Sequence, residues 1–177
     1  KMKKMDCPES ILSSLYFSLF HSHLSYGLCA YGLAEDQYIS KLFLLQKRAV
    51  RIISKAQFNA HTEPLFKKLN ILKIKDTLSH QLSTLMWEYD KGLLPVCFAD
   101  YFQKVSSMHS HNTRFAAKNK LSENVLIKTD THGKNMLKFF GPRIFNALVD
   151  IDFYHLCKTK QSFKKRHKKY LLDSYDN

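Results

Sequence analysis

Hydrophobic and polar residues alternate along this chain mostly at helical spacing, with apolar positions three or four residues apart. The first helix is predicted to begin at Asp6, which is followed by an early proline and by a glutamate three residues on. The second is predicted to begin near Asp36. Its apolar stripe consists of Ile39, Leu42, Leu45, Ala49, Ile52 and Ile53. The first part of the chain is therefore expected to be helical.

Turn and capping residues predict the elements that follow. Thr62, Glu63 and Pro64 together are a typical helix start, and residues 71–75 form a short connector. Asp76 is then expected to cap a fourth helix that Gly92 ends. Pro95 opens a brief helical turn that ends near residue 102.

The helical pattern weakens after residue 105 and returns near residue 140. A polar loop is expected at about 106–134, with a short strand at about 125–128. Gly141-Pro142 precedes the next helix, and a last helix is expected at about 159–172. The residues predicted to be buried by that last helix are Phe163, Tyr170 and Leu171.

These elements predict a mostly α fold. Residues 1–92 are expected to form a helical bundle. Residues 93–177 are expected to form a looser, mainly helical extension that contains the polar loop and ends in a basic helix. With 177 residues, of which 45% are hydrophobic, the chain is long enough to bury a core.

The charge balance says more about partners than about fold. The chain has 28 Lys and Arg against 15 Asp and Glu, so its formal net charge is +13. A polyanion, DNA or RNA, is the expected partner. A membrane is not expected, because no apolar run reaches the roughly 18–20 residues that a span requires. A basic amphipathic helix resting on an anionic membrane is the weaker alternative.

Four cysteines lie far apart, without the paired spacing of a zinc site or of a disulfide framework. We expect reduced thiols and an intracellular protein, in the nucleus or the cytoplasm. The sequence begins with Lys1 and a helix is predicted almost at once. It is therefore expected to be a piece of a longer polypeptide.

Catalytic residues are not evident. A polymerase or nuclease site requires carboxylates that converge on divalent metal ions, and the acidic residues here are sparse. Phe98-Ala99-Asp100 is similar to part of an aromatic-x-Asp-Asp loop, but Tyr101 follows it and Pro95 predicts a helical turn there. The pairs His21/His23 and His109/His111 are interpreted as surface or polar-core histidines, and no cofactor is expected.

Two basic surfaces are the candidate binding sites. On the second helix, Lys47, Arg48 and Arg51 lie within one turn of one another. The terminal helix contributes Lys164, Lys165, Arg166, Lys168 and Lys169. Each surface could equally be an ordinary solvated helix face, or it could lie along a phosphate backbone and release counterions.

Seven segments in order resemble the end of non-long-terminal-repeat retrotransposon reverse transcriptases, especially Jockey-like ones. Segment 15–27 resembles "LYxSLxxxxLxYG", segment 45–53 is similar to "LQKRAxRII", and segment 61–76 resembles "HTxPLFxxLxIL…D". The others are residues 92–95, 111–114, 141–146 and 162–165. Phe145 stands where the family pattern has Trp, and Val149 where it has Pro, which indicates a degenerate or divergent copy.

This resemblance implies that residues 1–92 are similar to the thumb of such a polymerase, which grips the template–primer duplex, and that the remainder is its C-terminal extension. The metal-binding aspartates and their Mg²⁺ would belong to the palm, which precedes these segments in the family. The expected partners are thus a template–primer duplex and an upstream palm domain. The segment is expected to be inactive as a polymerase by itself.

A second hypothesis is a co-opted or degenerate helical protein-interaction module without nucleic-acid binding, whose charge only keeps it in solution. Salt-insensitive binding to a protein partner would distinguish it from the first hypothesis. A third hypothesis, an enzyme in its own right, would require a metal site that the sequence does not display.

Overall fold

The chain is mostly α-helical, as the spacing of its apolar residues predicts. A computed structural model describes residues 7–33, 36–108, 113–114, 118, 120–123 and 137–176. Within these ranges no β-strand occurs, although an antiparallel bridge pairs Lys104 with Leu121. The expected strand at 125–128, most of the polar loop at 106–134, and His109 and His111 lie outside the described residues.

The helices up to residue 90 follow one another closely. They are Glu9–Leu15, the π-helical Tyr16–His21, Ser22–Ser25, Leu28–Tyr31, Asp36–Ile53, Glu63–Lys68 and Ile74–Asp90. The helices described after residue 90 include both short and long ones. They are the 3₁₀ turn Val96–Phe98, the α-helices Val105–Met108, Leu137–Val149, Asp152–Leu156 and Lys160–Asp173, and the 3₁₀ turn Ser174–Asp176.

The chain divides into two compact units. Unit 1 consists of Lys1–Leu78 together with Lys168–Asn177, and unit 2 is Ser79–His167. The division falls within two continuous helices, Ile74–Asp90 and Lys160–Asp173. The expected thumb-like bundle at 1–92 and the extension at 93–177 remain predictions.

The core of unit 1 contains one fully buried amide, that of Gln46. Its Nε2 donates to the hydroxyl of Tyr16 at 3.0 Å and to the carbonyl of Leu72 at 2.8 Å. Its Oε1 accepts from the backbone N–H of Ile74 at 2.9 Å. A buried amide is stable only when its donors and acceptors are satisfied, and here one side chain joins three segments of unit 1.

The face that the Asp36–Ile53 helix buries differs in part from the predicted stripe. Ile39, Val50 and Ile53 are buried together with Gln46. Leu45 and Ile52, which were expected in the core, are 47% and 41% exposed. This part of the prediction was wrong because the helix is rotated so that Gln46 points inward, which carries positions 45 and 52 toward solvent.

Two predicted helix boundaries were also wrong. The fourth helix begins at Ile74, two residues before Asp76, and the Asp76 carboxylate accepts a hydrogen bond from the Tyr175 hydroxyl. Gly141 and Pro142 do not precede their helix but lie inside Leu137–Val149. A Cβ on Gly141 would lie 2.8 Å from the Phe102 ring, so only glycine allows this close packing.

The core of unit 2 is rich in aromatic side chains. Trp87 stacks on Phe163 with their ring centroids 5.6 Å apart, and both side chains are buried. Asn146 is also buried in this unit. Its Oδ1 accepts from the N–H of Leu121 at 2.8 Å, and its Nδ2 donates to the carbonyl of Leu121 at 2.9 Å. The amide thus satisfies both backbone groups of Leu121, as a paired strand would.

Two histidines of unit 2 are in direct contact. The Nδ1 atoms of His80 and His167 lie 3.0 Å apart, so one ring donates to the other. His167 is 3% exposed and stacks on Phe163, with ring centroids 5.5 Å apart. Burial, together with the nearby charge of His80, lowers the pKa of His167 to about 4.

The Gln46 amide provides the first test of this fold. Gln46→Ala is expected to lower the free energy of unfolding by about 2–4 kcal/mol, because it leaves a cavity and unpaired buried polar groups. Urea unfolding would measure this, with Ser40→Ala on an exposed position of the same helix as a control expected to stay within about 0.5 kcal/mol. A similar small loss in both variants would contradict this role of Gln46.

The His167 pKa makes stability depend on pH in a defined window. Between pH 6.5 and about 4 the unfolded chain binds a proton at this residue and the folded chain does not. The stabilisation that depends on neutral His167 is therefore fully present above pH 6.5. It decreases as the pH falls toward 4. His167→Phe should flatten this part of the pH profile in urea unfolding, and the exposed Ser40→Ala should not. Parallel profiles for wild type and His167→Phe would refute the assignment.

Candidate nucleic-acid interface

The basic terminal helix, Lys160–Asp173, is oriented by its buried ring side chains. Phe163 and His167, four residues apart, lie on one side and are both buried. At the helix start the backbone N–H of Ser162 donates to the Oγ1 of Thr159 at 3.2 Å, which caps the first turn. These contacts fix which side of the helix is turned away from the core.

Three cations share the exposed side of this helix. Lys165, Arg166 and Lys169 stand at spacings of three and four residues, so they are neighbours on one helical surface. All three are exposed. Within the described ranges, no ion pair neutralises them. This helix therefore presents three positive charges on one side.

The other predicted cations of this helix lie elsewhere on its circumference. Lys164 is exposed on the flank of the helix opposite Arg166, and Lys168 is half-buried. Burial lowers the pKa of the Lys168 ammonium. The Nζ of Lys160 pairs with the Oε1 of Glu88 at 2.5 Å. Tyr170, expected to be buried, is 50% exposed, because the buried positions of the helix are Phe163, His167 and Leu172.

The three cations of the Asp36–Ile53 helix have different surroundings. The Nζ of Lys47 lies 4.5 Å from the ring centroid of Phe43, a cation–π contact within the same helix. The Nε of Arg51 donates to the carbonyl of Ala60 at 3.0 Å. Arg48 is exposed, and in the part of the chain that the structure describes no acidic group pairs with it. Of these three residues, Arg48 is the most available to a ligand.

Many other lysines are already paired with carboxylates. Lys73 pairs with Glu63 at 2.6 Å and lowers the pKa of that carboxyl group. The pairs Lys68–Glu9, Lys75–Asp36, Lys91–Asp90, Lys118–Asp150 and Lys120–Asp150 lie between 2.6 and 3.0 Å. These acidic residues thus neutralise cations away from the two candidate surfaces.

Most of the ion-paired carboxylates in the described ranges contact lysines. Among the described residues, no group of three or more His, Cys, Asp or Glu side chains is placed to hold a metal ion. Phe98 ends a 3₁₀ turn that Pro95 begins, so Phe98-Ala99-Asp100 follows a helical turn, as expected.

Sequence reasoning missed the residues that orient these surfaces. Gln46 was not singled out, although it stands seven residues after Ile39 and seven before Ile53, on the core side of its helix. His167 was likewise missed, and its spacing of four residues from Phe163 was the available signal. The burial of Asn146 was not predicted, because its partner Leu121 is distant in sequence.

Comparison with known proteins supplies no family for this chain: no protein family, curated protein or solved structure matches it. No helix in the described ranges is both long and apolar enough to cross a membrane.

Arg51 is hydrogen-bonded to the Ala60 carbonyl and Arg48 is exposed, so the two arginines are expected to differ in their contribution to stability. Arg51→Met is expected to lower the free energy of unfolding by about 1 kcal/mol, because it removes a partly buried hydrogen bond from a charged donor. Arg48→Met should change it by less than about 0.5 kcal/mol. Thermal or urea unfolding of the two variants would measure the difference, and equal stabilities would show that the Ala60 contact contributes nothing.

Proposed function

We propose that this chain is a segment of a retrotransposon RNA-directed DNA polymerase that grips template–primer nucleic acid and leaves bond formation to another part of the polymerase. The observation that carries the proposal is the exposed face formed by Lys165, Arg166 and Lys169. The seven ordered segments that resemble the thumb and C-terminal extension of such polymerases support it from the sequence.

The physical argument rests on how cations bind a phosphate backbone. Each phosphate that a lysine or arginine neutralises releases bound counterion, which contributes a log–log salt slope of about 0.9 for duplex DNA. Three neighbouring cations on a rigid helix can contact successive phosphates without further ordering of the backbone. Because phosphates are the same at every position, such contacts give affinity with little sequence preference.

Arg48 on the Asp36–Ile53 helix is proposed as a second contact with the duplex. Lys47 and Arg51 keep a supporting role, because one lies on an aromatic ring and the other binds a backbone carbonyl. The predicted contributions of Lys164 and Lys168 are smaller, since Lys164 lies off the shared face and Lys168 is half-buried.

The test is to measure binding of a duplex to the full chain by fluorescence anisotropy at several salt concentrations. The charge-reversed variant Lys165→Glu, Arg166→Glu, Lys169→Glu is expected to bind an RNA–DNA hybrid more than about tenfold more weakly. Its salt slope should also be smaller by about 2–3. Wild-type binding should differ little between unrelated sequences.

A matched control carries the same change in net charge at residues that are already paired. It is Lys68→Glu, Lys75→Glu, Lys91→Glu, and it should keep most of the wild-type affinity and slope. Equal losses in the two triple variants would show that net charge and not this face binds the duplex. Salt-insensitive binding, or primer extension by the chain with Mg²⁺, would contradict the proposal.

A further inference from the structure

Three apolar residues form a stripe along the exposed side of the Asp36–Ile53 helix. Tyr38, Leu45 and Ile52 are spaced seven residues apart, and they are 56%, 47% and 41% exposed. Residues seven apart on a helix lie almost directly above one another, so the three side chains form one line about 21 Å long. In unit 1 this stripe lies outside the core that Ile39, Gln46 and Val50 occupy.

Two cations continue the same seam. Lys41 and Arg48 follow Tyr38 and Leu45 by three residues each, which are the alternate positions of a heptad seam. Both side chains are exposed, and the Nζ of Lys41 lies 5.8 Å from the ring centroid of Tyr38. The seam therefore alternates apolar and basic residues: Tyr38, Lys41, Leu45, Arg48 and Ile52.

We propose that this seam docks an acidic amphipathic α-helix of another protein. Helix-to-helix packing matches the seven-residue spacing, because two helices that cross at about 20° keep such a seam in contact along its length. Apolar residues of the partner cover Leu45 and Ile52, and its carboxylates meet Lys41 and Arg48. The proposal does not depend on the proposed nucleic-acid function.

The chemistry of the seam favours this partner over two others. A second copy of the chain would bring two sets of cations of the same sign into one seam, which disfavours self-association. A phosphate backbone would satisfy Lys41 and Arg48 but offers no apolar surface to cover Leu45 and Ile52. An acidic helix with apolar anchors meets both requirements at once.

The test uses the full chain and two synthetic helical peptides, each about three heptads long. One has leucine at the first seam position and glutamate at the second, and the other has lysine in place of glutamate. Fluorescence anisotropy at physiological salt is expected to show binding of the glutamate peptide. The lysine peptide should bind at least about tenfold more weakly.

Uncharged substitutions test the apolar stripe without altering the electrostatics. Leu45→Ser, Ile52→Ser should raise the Kd for the glutamate peptide by about tenfold or more. The matched control, Tyr26→Ser, Phe58→Ser, removes two apolar side chains that are 85% and 81% exposed outside the seam, and it should leave the Kd unchanged. Lys41→Glu should weaken binding of the glutamate peptide and strengthen binding of the lysine peptide.

Several outcomes would overturn the proposal. They are failure of the glutamate peptide to bind, equal loss of binding in the seam and control pairs, and no effect of Lys41→Glu on either peptide. If the wild-type chain self-associates and the Leu45→Ser, Ile52→Ser variant does not, the seam binds a second copy of the chain. Loss of duplex binding, or of binding to phosphatidylserine vesicles, in that variant would assign the seam to nucleic acid or membrane. None of these variants changes Arg48. If they still bind the duplex, the proposed function holds even when neither peptide binds.

Discussion

The hydrogen bonds of the Gln46 amide fix how the Asp36–Ile53 helix is rotated about its own axis. Three polar groups, on Tyr16, Leu72 and Ile74, can be satisfied only when position 46 points into unit 1. An apolar side chain there would tolerate several rotations, since hydrophobic contact is not directional. The amide selects one of them. That selection decides which cations and which apolar residues of the helix face solvent.

The terminal helix is oriented by aromatic stacking rather than by an amide. Phe163 stacks on Trp87 and on His167, so these rings hold one side of the helix in the core of unit 2. The opposite side then presents Lys165, Arg166 and Lys169 together. Both basic surfaces thus arise from the same cause, a buried group that sets the rotation of a helix, although the buried chemistry differs between them.

Electrostatic pairing determines where the excess positive charge is found. Although the formal net charge is +13, several lysines are neutralised locally by carboxylates near them. Paired cations contribute little to long-range attraction of a polyanion, whereas unpaired neighbours on one face contribute together. Exposed cations on the two helices are available to a phosphate backbone, and Arg48 is adjacent to the apolar seam as well.

The sequence by itself determined that the chain is mostly helical and roughly where its main helices lie. Apolar spacing, prolines and caps act locally, and they located the helices Asp36–Ile53, Glu63–Lys68 and Lys160–Asp173 to within a few residues. Only the tertiary structure decided the rotation of those helices. Leu45, Ile52 and Tyr170 were expected in the core and are exposed, while Gln46 and His167 are buried. The physical reason is that rotation depends on partners distant in sequence, such as Leu72 for Gln46 and His80 for His167, which no local pattern contains.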